Sequence, residues 1–234
     1  MGFDRVRLEH VLERVARAAE SAGRRPEDID LVSVSKTQSA EVVAEAIEGG
    51  VRILGENRVQ EAREKRDMIG LELAARAKWH LIGSLQRNKA RQVPGLFDVV
   101  ESVDSLALAR ELARRIEGAG GGPLDIYIQV DTGDEPQKGG LDPGDIPVFL
   151  DNIMELGALR AVGLMCIPPL GRSPGESRPH FMKLREIRDT ALAAGHATVR
   201  GLSMGMSADF EVAIEEGATS VRVGTAIFGP RPPA

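Results

Sequence analysis

Only one cysteine, Cys166, occurs in the 234 residues, so an intrachain disulfide is impossible and a cysteine-rich zinc site is excluded. Its place in the apolar run AVGLMC reads as a small buried hydrophobe rather than a nucleophile. Only 4 histidines are present and none stands in a close acidic–histidine ligand pattern, so no metal site is expected. No uninterrupted apolar run approaches the length of a membrane span, and no N-terminal apolar core resembles a secretion signal. The expected location is therefore cytoplasmic, with no membrane partner. Charge of one sign is also missing: 30 basic residues face 35 acidic ones, for a net charge of -5. That balance gives no overall footprint for nucleic acid. Neither a GxxxxGK sequence nor a GxGxxG at a strand–helix junction occurs, which argues against the common nucleotide-binding loops.

What is present describes a folded protein. Hydrophobic residues make up 42% and charged residues 28%, well away from a disordered composition. The length suits one α/β barrel, and no composition shift marks a boundary, so residues 1–234 read as a single domain. Residues 4–21 predict an amphipathic helix capped by Asp4, and SAEVVAEAIEGG predicts a second, capped by Ser39 and stopped at Gly49–Gly50. Eight short strand candidates follow the first helix, near 31–35, 51–54, 79–82, 97–101, 124–130, 158–165, 198–202 and 219–223. Helical segments near 57–76, 86–92, 104–118, 145–155, 177–194 and 207–216 alternate with them. Such alternation predicts a parallel α/β fold that right-handed crossovers can close as a (β/α)8 barrel preceded by an extra helix. A doubly wound open sheet is the alternative that the short strands leave standing.

Lys36 directly follows the strand candidate LVSVS, which puts it at the mouth of a parallel sheet or barrel. An amine there can condense with an aldehyde to form a Schiff base, although a solvated lysine closing a strand has the same signature. Gly224 follows the last strand in VRVGTAIFG, where a glycine lets backbone N–H groups approach a phosphate, and Thr225 adds a hydroxyl. Ser203, Gly205 and Ser207 form a polar edge after the seventh strand candidate, with Ser207 also reading as the cap of the following helix. In a closed barrel strands seven and eight would supply adjacent halves of a phosphate cradle, beside Lys36 on strand one. Arg222 shares a strand face with Gly224 and would approach a ligand ring; a surface ion pair is its bland reading. Asn57 and Arg58 lie at the mouth of strand two, and His80 reads as a hydrogen-bonded core histidine.

These segments resemble the pyridoxal-phosphate homeostasis proteins, whose barrel is that of the alanine racemase N-terminal domain. The resemblance runs in order through LVSVSKT (31–37), GENRVQE (55–61), WHLIGSLQRNK (79–89), ESVDS (101–105), IQVDTGDEPQKGG (128–140), GLMCIPP (163–169) and the long segment at 202–229. It implies a TIM barrel of the alanine racemase N-terminal type that binds pyridoxal 5'-phosphate (PLP) as a Schiff base on Lys36. It further implies that Asn57 contacts the ring and that Arg222 faces the pyridine nitrogen. Ser203, Ser207, Gly224 and Thr225 would serve the phosphate; Lys138 is a candidate secondary contact for which a solvated loop lysine is the safer local reading. The implied role is control of intracellular vitamin B6 without robust catalytic turnover, by buffering PLP or delivering it to apo-PLP-dependent enzymes; a monomer is expected. The chain departs from the common pattern at Gln38–Ser39, where many relatives carry lysine–proline, and at Asp131, where asparagine is frequent.

Two other readings compete. A PLP-dependent amino-acid racemase with weak activity would need acid–base groups on both faces of the substrate carbon. In alanine racemase a tyrosine of an additional domain serves one face, whereas here the barrel is expected to end near 229 and the one tyrosine, Tyr127, lies in a central strand. The other competitor is a barrel for a phosphorylated metabolite in which Lys36 only offsets negative charge.

Overall fold

The short apolar runs become eight parallel strands because each is bounded by helix-forming sequence that returns the chain to the same end of the sheet. The computed structural model describes residues 2–230 apart from 134, 136–138 and 170–172. Strands β1 (Asp30–Val34), β2 (Ile53–Glu56), β3 (Lys78–Leu81), β4 (Val99–Val103), β5 (Leu124–Gln129), β6 (Leu159–Met165), β7 (Gly201–Met206) and β8 (Ser220–Val223) pair in sequence order. Pairing of β1 with β8, from Asp30 opposite Ser220 to Ser33 opposite Val223, closes the barrel. The open sheet is thereby excluded.

Helix α1 (Arg5–Ser21) precedes the barrel and begins at Asp4, whose carboxylate accepts the Val6 N–H. It packs on α8 (Phe210–Glu215) and α9 (Thr225–Phe228), where Arg14 stacks over Phe210 at 4.6 Å and pairs with Glu211. Helix α2 (Ala40–Glu48) begins at Ser39, which accepts the Val42 N–H. The helix expected over 57–76 is two, α3 (Val59–Ile69) and α4 (Leu71–Ala74), because Gly70 takes φ 83° and cannot continue the first. The segment near 86–92 tightens into a 3-10 turn, Arg87–Gln92. Helices α5 (Leu106–Ala119), α6 (Ile146–Met154) and α7 (Arg178–Ala193) complete the outer layer.

Strand parity divides the side chains into two populations. Leu54, Trp79, Leu81, Val100, Ile126, Ile128, Leu164, Leu202, Val221 and Val223 join the apolar layer between sheet and helices. The residues between them face the barrel interior: Val32 and Gly55 touch there, since a Cβ on Gly55 would lie 2.8 Å from Val32 Cγ1. The interior is unusually polar, with His80, Glu101, Gln129, Ser203, Ser220 and Arg222 all buried. Tyr127 fills the floor, where Gly163 and Gly201 make room for its ring; a Cβ on either would lie 2.6 or 2.8 Å from Tyr127 Cε1.

Candidate functional site

The C-terminal ends of β1, β2, β7 and β8 meet at one mouth. Lys36 follows Val32 and Val34 on the interior-facing register of β1 and is partly buried. Asn57 follows Gly55 on β2 in the same way; its backbone lies so close to Gly83 that a Cβ there would fall 2.4 Å from the Asn57 carbonyl oxygen. Across the closing seam, Gly224 lies against β1: an added Cβ would stand 3.2 Å from the Val34 carbonyl oxygen. A side chain there would press on the end of the strand that leads to Lys36, which would have to give by a few tenths of an ångström.

Ser207 and Gly224 come together directly, the Gly224 N–H donating to Ser207 Oγ at 3.2 Å. The Ser207 hydroxyl proton is left to donate elsewhere. Thr225 is exposed, and the N–H groups of Thr225 and Ala226, first in α9, have no acceptor among the described residues. Hydroxyls and N–H groups therefore converge where strands seven and eight end, an arrangement suited to a phosphate.

Ser207 does not cap the following helix. Asp209 precedes α8, accepts the Met206 N–H at 2.7 Å, and takes the Ser177 hydroxyl on its other oxygen at 2.7 Å. Ser203 also lies elsewhere than expected. Strand β7 runs to Met206 rather than ending at 202, so Ser203 sits inside it, fully buried. Its hydroxyl donates to Glu101 Oε2 at 2.6 Å and accepts from Arg222 at 2.5 Å. With both capacities occupied, Ser203 holds Arg222 and is no longer placed to bind phosphate.

Arg222 is 4% exposed, which removes the surface reading. Its second nitrogen donates to the Cys166 carbonyl at 2.8 Å, and Glu101 Oε2 lies 3.9 Å from the guanidinium. Glu101 takes His80 on its remaining oxygen, Nδ1 donating at 2.6 Å. Burial alone would raise the Glu101 carboxyl, but the His80 hydrogen bond and charge, with Arg222 and Ser203, hold it below the usual range. A cation kept by a buried carboxylate thus lies beneath the mouth. Cys166, pushed up to about 12 by burial, is a packing residue as its sequence setting suggests.

Sequence reasoning passed over Glu56, Lys65 and Glu101. Lys65, on α3, donates to Glu56 Oε1 at 2.7 Å, to Glu61 Oε1 at 3.0 Å and to the Ser35 carbonyl at 2.8 Å. The available signal was a charged residue inside each apolar strand, in ILGE and VVESV. Asp131 is no mouth carboxylate of free orientation: Oδ1 accepts the N–H groups of Gly133 and Glu135 and shapes the turn after β5. Lys138 lies outside the described residues. No cluster of metal-ligating side chains occurs among the described residues, and no helix among them is long and apolar enough to cross a membrane.

The arrangement suits a ligand with a phosphate at one end and an electrophilic carbon at the other. Comparison with known proteins points the same way. The family profile described as alanine racemase, N-terminal domain, matches residues 6–232. The pyridoxal phosphate homeostasis protein of Aquifex aeolicus is 42% identical over 226 residues, covering 96% of this chain and 97% of the relative. That of Escherichia coli K12 is 39% identical over 235 residues, covering 96% and 95%. The PLP-bound structure of PipY from Synechococcus elongatus superposes with TM-score 0.79 at 37% identity, over 92% of this chain and all of that one (100%). Alanine racemase of Corynebacterium glutamicum shares the fold alone, at TM-score 0.67 and 17% identity, and 62% of its chain is covered.

Proposed function

The chain belongs to the alanine racemase N-terminal domain family, and on that premise we propose that it binds PLP and serves intracellular PLP homeostasis, as a buffer or a carrier to apo-enzymes, without efficient turnover. The carrying observation is the seam of the barrel, where Lys36 and Gly224 follow adjacent paired strands and Gly224 packs against the end of β1, a Cβ on it standing only 3.2 Å from the Val34 carbonyl oxygen. The residues fit the cofactor. Ser207, Gly224, Thr225 and the first N–H groups of α9 would take the phosphate, Asn57 would line the ring, and Lys36 would be the anchor. Bound there, PLP supplies an aldehyde that condenses reversibly with an amine.

The protein's own residues then do two things. They retain a phosphate monoester, and they present a permanent cation, Arg222, toward the interior end of the site. A guanidinium opposite a pyridine nitrogen disfavours its protonation and weakens the ring as an electron sink. All of these residues come from one barrel, so the proposed site draws on a single chain, in keeping with a single-domain protein that acts as a monomer.

The racemase reading finds no second acid–base group in Tyr127. That phenol is 8% exposed on the barrel floor, with its pKa driven far up by burial and by the Glu101 carboxylate. The test incubates a substoichiometric amount of loaded protein with L-amino acids and follows D-isomers by chiral chromatography. Activation of an apo-PLP enzyme is measured alongside against free PLP. Absence of turnover together with enzyme activation supports the proposal; sustained racemisation lost in Lys36→Ala overturns it. A phosphorylated-metabolite barrel would instead show no near-visible absorbance after incubation with PLP.

A further inference from the structure

The peptide groups on both sides of Lys36 are tied to one buried ionic cluster. On the preceding side, the Ser35 carbonyl accepts from Lys65 Nζ at 2.8 Å. On the following side, the Thr37 N–H donates to Glu61 Oε1 at 2.6 Å. Lys65 joins the two, because its other protons go to Glu56 Oε1 and to that same Glu61 oxygen. The Ser35 hydroxyl adds a bond of 2.6 Å to Glu56 Oε1. Three N–H donors on Lys65 thus meet three acceptors, drawn from the ends of β1 and β2 and from the first turn of α3.

Backbone geometry shows what this cluster holds. Thr37 has φ 67°, and among the described residues it is the one non-glycine with positive φ. A β-branched residue adopts that conformation only when its surroundings impose it. The side chain of Lys65 is 6% exposed and that of Glu56 0%, and a buried pair of this kind recovers little net stability after desolvation. Its specific consequence here is geometric, since the chain must turn sharply immediately after Lys36.

We propose that Lys65 is a positioning residue for Lys36, fixing through Glu61 and the Ser35 carbonyl the two peptide groups that aim the anchor at the barrel mouth. This inference rests on Lys36 being the anchor. Lys65 is not itself a competing anchor, because its ammonium is enclosed and fully engaged.

The test compares PLP with pyridoxine 5'-phosphate, which keeps the ring and phosphate but carries an alcohol in place of the aldehyde. Both are titrated by equilibrium dialysis against the full-length wild type, Lys65→Met and Glu61→Ala. PLP affinity should fall on the order of tenfold in each variant, the scale of losing an orienting partner. Pyridoxine 5'-phosphate should stay within about twofold, because the phosphate residues on β7 and β8 are untouched. If Lys65→Met does not fold, Glu61→Ala decides alone, its side chain being 25% exposed. Equal weakening of both ligands would mean general loosening and would overturn the positioning role, as would unchanged PLP affinity. Borohydride treatment of the wild type separates this from the parent reading: cofactor fixed away from Lys36 would sink both.

Discussion

Two buried carboxylates lie beneath the same mouth on opposite faces of the sheet. Glu101 points into the barrel and Glu56 into the layer between sheet and α3. Both are 0% exposed and burial raises both carboxyls, yet their net shifts run in opposite directions. Glu101 has one oxygen on His80 and the other on Ser203, with Arg222 behind, and its pKa is lowered. Glu56 gathers Ser35 and Lys65 on one oxygen, while Oε2 has no hydrogen-bond partner. Burial raises it, the Glu61 carboxylate adds to the rise, and Lys65 and Ser35 only reduce it. Depth therefore does not set the direction of the shift; the donors on each oxygen and the neighbouring charges do. The inner cluster is suited to keeping a cation in place, and the outer one to fixing backbone.

The comparison is tested hardest by deleting each carboxylate. Glu101→Leu strips the counter-charge from a guanidinium that cannot reach water and should cost about 3–5 kcal/mol. Glu56→Leu leaves Lys65 with Glu61 and the Ser35 carbonyl, and should cost about 1–3 kcal/mol. Urea unfolding of both variants measures the gap; equal losses would break the comparison.

The hydroxyl links give a smaller version of the same contrast. Ser203→Ala unpairs one oxygen of Glu101 and one Arg222 nitrogen together, for about 1–3 kcal/mol. Ser35→Ala should lose only about 0.5–1.5 kcal/mol, because Lys65 still holds Glu56 Oε1. Denaturant midpoints at matched m-values would show the order, and a reversal would mean that the outer cluster is the more tightly coupled.

Acidity should sharpen it further. The Glu101 pKa lies below its usual 4.5, so its stabilisation is complete above that value and lost as pH falls through the lowered pKa. The Glu56 pKa lies above 4.5, so its neutral form contributes below that value and the contribution is lost as pH rises through the raised pKa. The stability deficit of Glu101→Gln should shrink toward acid and that of Glu56→Gln should shrink toward neutrality. Parallel slopes in the two pH series would contradict the donor-count explanation.

The smallest expected effect lies at the mouth, above both clusters. Ser207→Ala loses the Gly224 contact but no helix cap and should cost about 0.5–1.5 kcal/mol. In dialysis it should also narrow the preference for PLP over pyridoxal. An unchanged preference would remove Ser207 from the phosphate site.

The sequence made local features legible and hid those assembled across the chain. Asp4 and Ser39 are caps because a cap is decided within three residues. The barrel followed from the strand–helix alternation, and Lys36, Asn57, Ser207, Gly224 and Thr225 reach one mouth because each follows a strand. Strand β7 was read short because polar and small residues in LSMGM weaken the apolar signal, which misplaced Ser203 and gave Ser207 the capping role of Asp209's segment. The ionic clusters were invisible for another reason. Ser203 and Glu101 are 102 residues apart, and Lys65 meets Ser35 across 30, so no local spacing announces them.

The central claim, that PLP is anchored on Lys36 at the barrel mouth, is tested most directly by borohydride reduction of the loaded protein followed by peptide mass mapping. The cofactor mass should fall on the peptide containing Lys36 and be absent from Lys36→Ala. A fully occupied Lys36→Ala protein, with the reduced cofactor on another lysine, would contradict the account.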